Sequence, residues 1–166
     1  MAGYPHLQID PKMKIPIQRY GCIWKCCIAV GELVCDYKYS EQETNSMWET
    51  NIDLGFLKQI NKAKGDADYY VVNPDGIMNY SLKRLGNTKV KANLVACTSW
   101  DPEWDTWGRP PNMPGDIGLS FLCGRTTYGN THYRLGDAEG TEIFDPDPRC
   151  IIVRELKIDW VKLTVL

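Results

Sequence analysis

The sequence predicts an α+β domain, with helices in the first half and an antiparallel sheet in the second. Two observations carry this. Apolar residues recur at helical spacing up to about Lys89, and β-prone runs separated by turns follow it. Helix start and stop signals also concentrate in the first half, whereas the Gly136–Gly140 turn lies between two short alternating runs in the second. We therefore read residues 1–166 as a single domain: an arm over 1–17, a mostly helical part over 18–88 and a sheet over 89–166.

The arm holds three prolines and little periodicity, so it is expected to be extended. His6 within it reads as a solvated residue. Gln18-Arg19-Tyr20-Gly21-Cys22 reads as a loop entering a helix that runs from Cys22 to about Cys35. Ile23, Cys26, Cys27, Val30, Leu33 and Val34 give that helix an apolar face broad enough to be central and buried. Cys26, Cys27 and Cys35 fit small core positions. Ser40-Glu41-Gln42-Glu43 is a capping box that opens a helix through Met47 and Trp48. Leu54, Leu57 and Ile60 suit a further helix over 53–63, closed by Gly65.

Tyr69 to Val72 is β-prone. Asn73-Pro74 then opens a helix that Gly86 closes. Val90 to Cys97 reads as a strand, and Trp100 to Pro114 as a loop carrying Trp100, Trp104, Trp107 and four prolines. Strands follow at 117–123, 131–135, 141–144, 151–156 and 160–165.

The net charge of −2, with no basic run interleaved with aromatics, argues against a nucleic-acid binder. No apolar run reaches the ~20 residues of a membrane span. The start of the chain lacks the regions of a signal peptide. Seven cysteines without a disulfide-like framework fit a reducing compartment. The expectation is a cytoplasmic protein; a cell-wall target would need delivery by a phage lysis system. No cofactor is expected, because phosphate-cradling and dinucleotide glycine motifs are absent. No metal is expected either, because no cysteine or histidine spacing matches a zinc framework.

The chemistry concentrates on Cys22. A thiol at a helix start lies beside unsatisfied N–H groups and the positive end of the dipole, which favour thiolate. A nucleophile needs a base, and the chain has only two histidines, His6 and His132. His132 opens one strand and Asp145-Pro146 ends the next. An antiparallel hairpin would bring them together, so that the carboxylate orients the imidazole. Asp147-Pro148 repeats the dipeptide, which leaves Asp147 as the alternative acid. Gln18 is a candidate side-chain donor to an oxyanion, alongside the Cys22 backbone N–H.

Gln18, Cys22, His132 and Asp145-Pro146 resemble, in order and setting, the papain-like superfamily of cysteine peptidases. The branch most similar is that of the bacteriocin-leader-processing peptidases and related bacterial or phage proteins. Ile23 stands where those peptidases usually have glycine. The resemblance implies a papain-like fold and hydrolysis of an amide bond, in a peptide, a protein tail or a cell-wall cross-link. Two other functions stay open: a non-catalytic binding module on the same fold, and a transglutaminase-like acyl transferase using the same three residues. The tryptophan loop has three readings: a packed lid, a substrate platform made by Trp100, Trp104 and Trp107, or a partner contact.

Overall fold

A computed structural model describes residues 5–60, 68–107 and 117–166. Four helices and eight strands form its framework. They are α1 (Ile15–Tyr20), α2 (Cys22–Val34), α3 (Glu41–Asp53), β1 (Leu57–Ile60), β2 (Asp68–Val71), α4 (Pro74–Arg84), β3 (Val90–Asp101), β4 (Thr106–Trp107), β5 (Ile117–Thr126), β6 (Thr131–Asp137), β7 (Glu142–Phe144) and β8 (Ile152–Val165). The mixed α+β class is as expected, with the helices gathered ahead of the main sheet. Among the described residues, no helix is long and apolar enough to cross a membrane.

Helix α2 is the hub. Residues Trp24 to Glu32 are all buried. Its Trp24 indole donates to Asn51 on α3 and meets Trp48 edge-on at 5.1 Å. Helix α4 crosses it at Gly31, where a Cβ would lie 2.1 Å from the Ser81 hydroxyl. That hydroxyl donates to the Ile28 carbonyl across the crossing. The weak helix former at Gly31 is therefore the condition for close packing of α2 on α4. The capping box of α3 is complete, with Ser40 accepting from the Glu43 N–H and Glu43 reaching back. Asn73 caps α4 by accepting from Gly76, with Pro74 in its first turn.

The main sheet is antiparallel, in the order β4-β3-β8-β5-β6-β7. One face packs on α2 through Leu119, Phe121, Leu135 and Val161. The opposite face holds a second cluster of Leu122, Ile158 and Trp160, flanked by Trp107. The long central strand β8 serves both clusters because its alternate side chains point to opposite faces.

Five expectations are corrected. The stretch before Cys22 is a helix, α1, with Pro16 in its first turn. It meets α2 at Gly21, where a Cβ would lie 2.4 Å from the Ile17 carbonyl oxygen, so only glycine fits the corner. Residues 5–17 do not form an extended surface arm, because Gln8, Met13 and Ile17 are buried. The helix expected over 53–63 is strand β1: Gly55, at φ 77°, ends α3, and Leu57 to Ile60 pair with β2. The two strands expected at 151–156 and 160–165 are the single strand β8. Trp100 and Trp107 are not in a loop but face each other across the β3–β4 pair. Gly65, Pro110, Pro111 and Pro114 lie outside the described residues.

Candidate active site

Three elements meet where Cys22 begins α2. Gly21 is the N-cap and offers no side chain, so no side chain bonds the N–H groups of the first turn. Those groups and the helix dipole face the half-buried Cys22 thiol. From the sheet, β6 presents His132 at its start, and β7 leads into Asp145. The Leu135–Phe144 pairing of these two strands closes the hairpin that brings the two residues together.

His132 Nε2 lies 2.6 Å from Asp145 Oδ1. The Cys22 thiol is also a hydrogen-bond partner of the ring. His132 is only 3% exposed. Burial alone works against a charged imidazole; the hydrogen bonds to Asp145 and Cys22 outweigh it and raise His132 to about 9. Both neighbours therefore favour the charged form of the ring.

The two Asp-Pro dipeptides have different fates. Asp145 Oδ1 accepts from the Asp147 backbone N–H as well as contacting His132. Asp147 turns to Arg149, accepting from its N–H, Nε and terminal nitrogen. Burial opposes ionisation of Asp147, but the Arg149 bonds prevail and hold its carboxyl below the usual range. Asp145 is thus the acid that faces the ring, and Asp147 braces the loop behind it.

Gln18 lies one turn before Cys22 on α1. Its side-chain amide donates to the Met13 carbonyl at 2.8 Å, and its own carbonyl accepts from Gln8. Gln8 in turn donates its backbone N–H to Pro146. A chain of hydrogen bonds therefore runs from α1 through the buried Gln8 to the Asp145-Pro146 turn, clamping the two sides of the site. Sequence reasoning missed this clamp, because nothing in residues 5–13 marks Gln8 as buried until the tertiary partner is in place.

The tryptophans divide. Trp100 and Trp107 stack edge-on at 4.6 Å, and the Trp107 indole covers Gly140. Trp104, at the tip of the hairpin, is 73% exposed. Of these three tryptophans, Trp104 is the one with an open ring. Cys26 and Cys27 are buried and pushed up by desolvation, and Cys150 is raised to about 11, chiefly by burial and then by Asp147. Among the described residues, the one histidine–carboxylate cluster at metal-binding spacing is His6, Asp10 and Glu41. His6 is not a free solvated residue: its Nδ1 lies 3.5 Å from Asp10 and 3.6 Å from Glu41.

A sulfur, an imidazole and a carboxylate in series are the groups that a proton relay ending on a nucleophile needs. Such a chain can attack an acyl carbon and then protonate the leaving group. No protein-family model matches this chain, and no match was found for it among curated proteins or solved structures.

Proposed function

We propose that the protein is a papain-like thiol hydrolase of amide bonds. The observation that supports this most is the His132 ring held between Asp145 and the Cys22 thiol at the start of a buried helix. In this reading Cys22 sulfur attacks the carbonyl carbon and a tetrahedral oxyanion forms. The first-turn N–H groups of α2 stabilise it, with Gln18 assisting if its amide leaves Met13. His132 gives its proton to the departing amine, and a thioester remains on Cys22. The ring, now neutral, takes a proton from water, which attacks the thioester and releases the acid. Asp145 keeps the imidazolium stable and its orientation fixed. The substrate class is a peptide, a protein tail or a cell-wall peptide cross-link.

A second reading is favoured by a separate observation. The open Trp104 at the tip of the β3–β4 hairpin suits a binding module for which the thiol is incidental.

Iodoacetamide labelling across a pH series, read site by site by mass spectrometry, separates the two. At pH 6 Cys22 is expected to label at least ~10-fold faster than the exposed Cys97, and His132→Ala to lose that advantage. If Cys22 and Cys97 label alike in both proteins, the hydrolase reading fails and the hairpin becomes the place to look for a ligand. Amine incorporation into the acyl product would instead redirect the assignment to acyl transfer.

A further inference from the structure

Beside Cys22 the sheet carries polar groups on the face that packs against the helices. Phe121, Leu135 and Val161 on this face belong to the core. Further along the same face the apolar residues stop. Tyr133, two residues before Leu135, pairs with Cys123, and Cys123 pairs with Lys157; Asp159 pairs with Phe121 and with Cys97. Paired residues share a face, so Tyr133, Cys123, Lys157, Asp159 and Cys97 form a strip across four strands. The strip starts one helical turn from Cys22: the Tyr133 carbonyl accepts from the Cys26 thiol, which follows Cys22 by one turn on α2.

Within the strip Lys157 is the cation. Its side chain is 41% exposed, and Nζ lies 5.8 Å from the Tyr133 ring centre and 3.6 Å from Asp159 Oδ2. The Tyr133 hydroxyl is its hydrogen-bond partner, and Asp159 is also engaged by the Cys97 thiol. The contact with Asp159 is longer than a hydrogen bond. An ammonium has three donors. Tyr133 orients it, Asp159 holds it loosely, and at least one donor remains for a ligand in the open part of the face.

We propose that Lys157, positioned by Tyr133, is a specificity-determining residue that binds a carboxylate on the substrate close to the scissile amide. This inference rests on the reading of Cys22 as the nucleophile, and it narrows the substrate to peptides carrying a free carboxylate or acidic side chain about one residue from the bond that breaks. The chemistry is a charge-assisted hydrogen bond at the edge of solvent. Asp159 sets the selectivity by competing for the same ammonium.

The test compares two alkylating probes of one shape, iodoacetyl-glycine and iodoacetyl-glycinamide. Each forms an S–C bond at Cys22 and releases iodide; they differ only in a carboxylate one residue from the reacting carbon. The readout is the ratio of their rates at Cys22, normalised to N-acetylcysteine. Lys157→Gln is expected to lower the ratio about fivefold, as for a well-placed exposed ion pair. Asp159→Asn is expected to raise it, and Tyr133→Phe to lower it by a smaller factor. Added salt should erode the wild-type preference. If Lys157→Gln leaves the ratio unchanged while the neutral probe still labels Cys22 rapidly, the carboxylate subsite is overturned and the nucleophile stands. If neither probe labels Cys22 faster than N-acetylcysteine, the nucleophile falls and the subsite with it.

Discussion

Two ion pairs are tied to α2, and they behave in opposite ways. Inside the core, Lys25 Nζ lies 3.9 Å from Glu32 Oε1, and both atoms lack a hydrogen-bond partner. Desolvation dominates there: it lowers Lys25 and raises Glu32, so each leans toward its neutral form. At the helix start, His132 is almost as buried, yet it is raised to about 9. The difference is contact. His132 meets Asp145 at 2.6 Å, and the Cys22 thiol acts on the same ring. Burial amplifies charge only when the hydrogen bonds are made; otherwise it removes charge.

The largest effect expected from this contrast is at His132. In the hydrolase reading, His132→Ala removes both the acid and the base, and turnover should fall by about 10²–10⁴. Steady-state kinetics on any cleavable peptide measures it. A loss of less than tenfold would mean that the imidazolium is structural.

Next comes the charge state itself. Asp145→Asn removes the carboxylate, so the His132 titration followed by proton NMR should move from about 9 toward the ordinary 6.5. The linked stability has a definite sign. The folded value lies above the unfolded one, so the contribution is complete below about pH 6.5 and is lost as pH rises through about 9. It amounts to ~3 kcal/mol at most. Urea melts of wild type at pH 6 and pH 9 should show the decline, and Asp145→Asn should flatten it. An unchanged titration midpoint in the variant would contradict the pairing.

The interior pair gives a structural effect. Glu32→Gln leaves Lys25 without its carboxylate and should cost about 3 kcal/mol. Lys25→Met combined with Glu32→Gln should recover much of that, because no unpaired charge stays behind. Chemical denaturation of the two variants tests this. If the double variant is no more stable than the single, the pair is a net stabiliser after all.

How much of this could be read in advance depended on whether the signal was local. The cap at Ser40, the Asn73-Pro74 start and the Gly136–Gly140 turn are short-range chemistry, and the elements they mark formed as expected. The placement of Asp145 beside His132 followed from hairpin geometry alone. The misreadings were tertiary. Leu54, Leu57 and Ile60 fit a helical face, yet β1 forms because β2 is there to pair with it. Helix α1 has one buried residue, Ile17, so its apolar pattern is too thin to see. Strand β8 looked like two because the charged residues Lys157 and Asp159 interrupt the apolar run. Within the site, the choice of Asp145 over Asp147 needed Arg149, whose role as the partner of Asp147 shows only in three dimensions.

The smallest expected effect lies farthest from both pairs. Trp104 is open to solvent and separated in role from the Trp100–Trp107 contact beneath it. Trp104→Ala should change stability by less than about 0.5 kcal/mol, as for an exposed side chain without partners in the core. Trp107→Ala should cost about 1–3 kcal/mol, because the half-buried indole packs against Gly140 and the Ile158 cluster. Thermal melts of the two variants therefore compare a hairpin tip with its root. If Trp104→Ala also abolishes binding to immobilised substrate peptides while Cys22 labelling is untouched, the hairpin is a docking element for the hydrolase. If binding and labelling both survive, the exposed ring has no part in recognition, and the sheet face bearing Lys157 carries that role alone.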